Sequence, residues 1–179
     1  MIAIRPEKPG DIAAREALLD VAYGVSRFAK PSQRLREGRE PTFSFVAFEH
    51  GRLVGTVLLW PVLAGAGRPA LLLGPLAVHP DCRQRGIGSA LMRRAIRAAR
   101  GAGHRAVVLI GDAAYYGRFG FTAAGAGALS MPGQVERDRL LALELVPAAL
   151  AGARGRILVG DVRRPARRAA ANVGVPQAA

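Results

Sequence analysis

The residues best suited to chemistry in this chain are Arg83-Gln84-Arg85-Gly86-Ile87-Gly88-Ser89. An apolar, β-prone run ends at Val78, a short polar turn containing Pro80 follows, and a helical pattern begins through Gly86 and Gly88. Glycines let the backbone approach a ligand with no Cβ in the way, and the first N–H groups of a helix have no partner within it. Such a helix start attracts an anion. Arg83 and Arg85 add positive charge at the same place, so a phosphorylated ligand suits it better than a carboxylate metabolite. The spacing excludes one common phosphate loop and weakens a second. A Walker loop needs a lysine after its second glycine, and the only lysines are Lys8 and Lys30. A dinucleotide fingerprint needs a third glycine where Leu91 stands.

A second stretch lies further on, across one helix and one strand: Gly111-Asp112-Ala113-Ala114-Tyr115-Tyr116-Gly117-Arg118-Phe119-Gly120-Phe121. The pattern Arg83-x-x-Gly86-x-Gly88 after a strand ending in Val-x-Pro resembles the Arg/Gln-x-x-Gly-x-Gly/Ala motif of the GCN5-related N-acetyltransferases (GNAT). That family also characteristically carries a tyrosine five residues before the Phe of a closing Gly-Phe, the place Tyr116 holds here, and the whole run looks like the YhbS-like subgroup. Two motifs in the right order are far more specific than either alone. The resemblance implies an α/β fold with a mixed, mostly antiparallel central sheet flanked by helices. It implies acetyl-coenzyme A as cosubstrate, with its pyrophosphate at Arg83, Gln84, Arg85, Gly86, Ile87, Gly88 and Ser89. It further implies that backbone groups of Leu76, Ala77 and Val78 bind the pantetheine arm and polarise the thioester carbonyl, and that Tyr116 protonates the leaving thiolate. The acceptor would be a primary amine, on a small molecule or a peptide, attacking directly in a ternary complex. Dimers are common among similar proteins, which allows a homodimer, while the sequence itself does not fix the oligomeric state.

The chain departs from the family pattern in two places. Many members have an Asn where Leu109 stands, and many have a basic Glu on the strand before the loop, whereas Leu71 to Val78 holds no carboxylate. Water, or a distant Glu such as Glu49, is left to relay the amine proton, and His79 at the mouth of the turn suits a surface role better than a base. Asp112 suits a cap on the short helix that follows. Spacing alone does not separate Tyr115 from Tyr116 as the acid.

Composition narrows the alternatives. One cysteine, Cys82, rules out an internal disulfide, and three scattered histidines offer no metal-ligand spacing, so no metal is expected. No apolar run approaches the ~20 residues of a membrane span, and the N-terminus lacks the succession of regions of a signal peptide, which points to the cytoplasm. A net charge of +13 invites a nucleic-acid reading. However, the arginines are spread along the chain without stacking aromatics, so nucleic acid is not expected as a partner. A coenzyme A-binding sensor without catalysis is the remaining alternative, favoured by the absent carboxylate and disfavoured by Tyr116.

These residues need elements to position them. Residues 2–5 read as a strand, and 12–23 as a helix with Ala14, Leu18, Val21 and Ala22 on its core face. Residues 24–41 are irregular, and by resemblance they lie over the acceptor site. Residues 43–49 and 52–60 form a hairpin across His50-Gly51, and 70–78 is the next strand of the meander after a Gly65-x-Gly67-x-Pro69 turn. In the helix after Gly88, Leu91, Met92, Ala95, Ile96 and Ala99 share one face, opposite Arg93, Arg94, Arg97 and Arg100. The strand at 105–110 should pair parallel to the one ending at Val78, because a helical crossover joins them. Residues 140–146 suit a closing strand and 123–127 form no clear element. One domain over 1–160 and a mobile tail over 161–179 complete the expectation.

Overall fold

The structure is a computed structural model that describes residues 1–65 and 67–160, so the expected tail at 161–179 lies outside the described residues. Its strands are β1 (Ile2–Pro6), β2 (Phe43–Glu49), β3 (Arg52–Ala64), β4 (Arg68–Val78), β5 (Ala106–Ile110), β6 (Leu129–Ser130), β7 (Leu140–Glu144), β8 (Gly155–Arg156) and β9 (Leu158–Val159). The α-helices are α1 (Ile12–Tyr23), α2 (Ile87–Gly101) and α3 (Ala113–Tyr116). The main sheet runs β1-β2-β3-β4-β5-β7, and β9 joins the far end of β3. Every pairing in it is antiparallel except β4 with β5. The mixed, mostly antiparallel architecture is therefore present, and so is the parallel crossover through α2.

Apolar alternation along the strands builds a core on each face of this sheet. Leu71 and Leu73 of β4 point to one face and pack with Leu91, Met92, Ala95 and Ala99, the predicted stripe of α2. On the opposite face Leu18 and Leu19 of α1 meet Val46, Leu53 and Ala77. Beside them, Leu72 and Val108 are covered by Leu35, Met131, Leu150 and Ile157 from the connecting segments. The expected face of α1 was turned by about a residue: Val21 is 59% exposed and Ala14 is also exposed, whereas Leu19 is buried. A helix with apolar residues on several sides does not fix its own rotation, and the sheet chose the adjacent leucine pair.

The β3–β4 hairpin is longer than its sequence suggested, reaching Ala64 and resuming at Arg68, with Pro69 inside β4. Pro61 does not stop β3. Its carbonyl accepts from Gly160 N–H at 3.1 Å, so the side of the strand on which proline lacks a donor faces away from β4. The edge that β2 leaves beyond Leu59 is taken by β9, which pairs with Val62 and Leu63. The last main strand ends at Glu144, two residues short of the predicted 146. The small β6–β8 sheet, and the 3-10 turn at Ala124–Ala126 where no element was expected, had no sequence signal long enough to read.

Two irregularities shape the site. In the β3–β4 ladder Val57 faces Leu76 and Leu59 faces Leu73, so Gly74 and Pro75 stand opposite Leu58 alone. A bulge of this kind bends its strand. Trp60 Nε1 donates to the Gly74 carbonyl at 2.7 Å and pins the bend. Secondly, β4 and β5 pair only at Leu71 with Val107 and Leu72 with Val108. Beyond that point the two strands part.

Candidate active site

The opening between the second half of β4 and the end of β5 offers unpaired strand edges next to both sequence motifs. Val54 O accepts from His79 N–H at 2.9 Å, so by strict alternation Ala77 also turns its backbone groups to β3. Leu76 and Val78 turn theirs into the opening. The expected trio therefore divides: Leu76 and Val78 face the gap, while Ala77 pairs with Thr56 and buries its methyl against α1. The Leu76 carbonyl accepts a hydrogen bond from the Tyr23 hydroxyl.

At one end of the gap lies the glycine loop. Gly86 caps α2 with φ +77°, a left-handed conformation that favours glycine, and Gln84 is also left-handed at φ +61°. The first amide of the helix to be satisfied is that of Ala90, which donates to Gly86 O at 3.0 Å. Among the described residues, the amides of Gln84 to Ser89 donate to no backbone or side-chain acceptor. The loop is thus a row of donors at a helix N-terminus, a ready anion site. Its charge is smaller than the sequence implied. Arg85 forms a two-pronged ion pair with Glu49, one arm at 2.7 Å, which holds that carboxyl below its usual range. Glu49 consequently sits at the loop, bound to Arg85, and is not among the residues lining the cavity beside Tyr116. The β2–β3 hairpin carried it there. His79 is likewise occupied: its Nε2 contacts Arg52 and its Nδ1 accepts from Asp81 N–H at 3.3 Å.

At the other end stand the tyrosines. Asp112 caps α3 through Ala114 N–H at 2.9 Å, and the one-turn helix presents Tyr115 and Tyr116 edge to face, 4.9 Å between centroids. Their directions differ. A Cβ at Gly88 would lie 2.9 Å from the Tyr115 hydroxyl, so that phenol reaches back to the start of α2. Tyr116 lies so tightly over Gly111 that a Cβ there would come within 2.1 Å of its ring, and it lines a cavity of about 340 Å³. Burial first, and then the neighbouring Tyr23 and Tyr115, push the Tyr116 phenol well above its ordinary value, partly offset by Arg139.

The cavity is enclosed by Leu72 to Leu76 of β4, Ile110 and Tyr116, by Tyr23 and the turns up to Arg36, and by residues 134–136 with Arg139. Burial raises the Tyr23 phenol as well, and burial lowers the Arg36 guanidinium to about 10. Residues 13–121 fit the sequence model of the acetyltransferase (GNAT) family. This chain belongs to that family.

A GNAT relative, the uncharacterized N-acetyltransferase YhbS of Escherichia coli strain K12, is 34% identical over 120 residues, covering 66% of this chain and 72% of the relative. The crystal structure of Escherichia coli YhbS in complex with CoA superposes with a TM-score of 0.74 at 30% identity, covering 89% of this chain and 96% of that one. A GNAT acetyltransferase from Brucella melitensis in complex with acetyl-CoA gives 0.66 at 33% identity, over 82% and 90%. Within the GNAT frame, the cavity residues Tyr23, Lys30, Arg36 and Arg139 were absent from the sequence-level site. No motif announces them. The one hint was the irregular, arginine-containing segment 24–41, which folds as two 3-10 turns across the mouth.

Proposed function

We propose that this chain transfers an acetyl group from acetyl-coenzyme A to a primary amine by direct attack within a ternary complex. The observation that carries it is the parting of β4 from β5, with open amides at Gln84 to Ser89 on one side and Tyr116 in a cavity on the other. A diphosphate fits the amide row, and a pantetheine arm fits the exposed edge of Leu76 and Val78. When bound, acetyl-coenzyme A supplies the thioester carbonyl that is attacked and the sulfur that leaves.

The chain's own residues do the rest. The Val78 or Leu76 amide donates to the carbonyl oxygen as negative charge grows there. Tyr116 delivers a proton to the departing sulfur. Burial weakens this phenol as an acid, but it also destabilises a thiolate in the same groove, so the difference between the two governs the transfer. Glu136 is the carboxylate lining the cavity, and the amine proton leaves to it or to solvent. Cys82 is buried beside Glu49 and is not among the residues lining the cavity, which agrees with direct attack in place of a route through the thiol.

Incubating the protein with acetyl-coenzyme A and a panel of amines, while following free thiol release, tests the proposal. Amine-dependent thiol release is the expected result. Calorimetric binding of coenzyme A without release for any amine would favour the sensor alternative, and no binding at all would sink both.

A further inference from the structure

The cavity beside Tyr116 carries positive charge that acetyl transfer to an ordinary amine does not use. Lys30, Arg36 and Arg139 line it, and Glu136 is the carboxylate among the lining residues. Arg36 is half-buried and held in place: Nε donates to Ser32 O at 3.1 Å and Nη2 to Ser32 Oγ at 2.9 Å, leaving Nη1 to face other partners. Among the described residues, no carboxylate lies within ion-pair distance of these three cations. Arg27, at the same mouth, is by contrast neutralised, tied to Glu16 at 2.7 Å and Asp20 at 2.9 Å. Burial, followed by the like charges of Arg36 and Arg139, lowers the Lys30 ammonium, as expected of cations crowded without a counter-charge.

Nor do these cations serve the diphosphate, because none of residues 83–89 lines the cavity. Clustered positive charge in a partly desolvated pocket is unfavourable until an anion enters, and a fixed guanidinium matches the planar geometry of a carboxylate or the oxygens of a phosphate. Resting on the acetyl-transfer reading, we propose that the acceptors are small primary amines carrying a carboxylate or phosphate group. Arg36, with Lys30 and Arg139, binds that anion and turns the amine toward Tyr116.

The test uses amines matched except for the anion: an amino acid against its carboxamide, and 2-aminoethyl phosphate against ethanolamine. The expected kcat/KM is at least tenfold higher for the anionic member of one pair or both, and the two pairs distinguish carboxylate from phosphate. Arg36→Met should shrink that ratio at least fivefold, Arg36→Lys should restore part of it, and added salt should raise KM for the anionic member only. Should Arg36→Met fail to fold, Lys30→Gln carries the same expectation at smaller size. Equal or better use of the neutral members, or a ratio untouched by either variant, overturns the proposal. Calorimetry with N-acetyl amino acids against their amides reads the anion site without turnover. Selective binding of the acids in a protein that releases no thiol would therefore keep this inference while the transfer reading falls.

Discussion

Two adjacent phenols, Tyr115 and Tyr116, share a one-turn helix yet answer to different neighbours. One reaches the Gly88 end of the gap and the other is packed over Gly111 in the cavity wall. Of the two, Tyr116 lines the cavity, the space that the proposed reading gives to the acceptor. Tyr116→Phe removes the hydroxyl and keeps the ring against Phe121, so turnover should fall at least tenfold with coenzyme A affinity unchanged by calorimetry. Unaltered turnover would take the phenol out of the mechanism. Because burial raises this group, it stays protonated while the acceptor amine loses its proton. The wild-type rate should therefore climb with pH and show no alkaline decline below about pH 10. The same scale explains why Glu49 is a poor candidate for the relay the sequence allowed it: a carboxylate clasped by Arg85 at the loop is a weaker base and is not among the residues lining the cavity.

At the level of elements, the site depends on how α2 begins and where β4 bends. Gly86 at φ +77° lets the loop turn into the helix with its amides facing out. An alanine there costs about 1–2 kcal/mol for the left-handed backbone, whereas asparagine visits that conformation more readily. Gly86→Ala should weaken coenzyme A binding at least fivefold, and Gly86→Asn should retain most of it. Equal affinities for wild type and Gly86→Ala, measured by calorimetry, would show that the loop amides do not hold the ligand. The bend of β4 comes from two residues set opposite one, Gly74 and Pro75 against Leu58, and it carries the strand edge away from β5. Gly74-Pro75 is plain in the sequence, but its effect depends on which residue of β3 it faces.

At the scale of the whole molecule, the first strand is locked to the first turn by Arg5 and Asp11, bonded at 2.6 and 2.9 Å, with Lys8 N–H adding a further bond to Asp11 at 2.7 Å. The Arg5 bond is the main cause that lowers the Asp11 carboxyl to about 2, against an ordinary value near 4. A carboxyl lowered on folding stabilises the fold above its ordinary value, and that contribution is lost as pH falls toward about 2. Asp11→Asn should therefore lose less of its urea midpoint than wild type between pH 5 and pH 2.5, and parallel losses would dismiss the pair as a stabiliser. The local features were legible from residue order: the glycine loop, the tyrosine before Gly-Phe, the amphipathic stripe of α2 and the His50-Gly51 hairpin each depend on neighbours a few positions away. Residue order alone thus determined the family resemblance and the donor chemistry it implies. Tertiary structure decided the rest: which tyrosine lines the cavity, that Arg85 is neutralised by Glu49, that Ala77 is turned to β3, and that Tyr23, Lys30, Arg36 and Arg139 meet at one cavity. The physical reason is that a helix start or a turn is set by the backbone of a few consecutive residues. A cavity and its charge are set by segments far apart in the chain, brought together only when both faces of the sheet are covered.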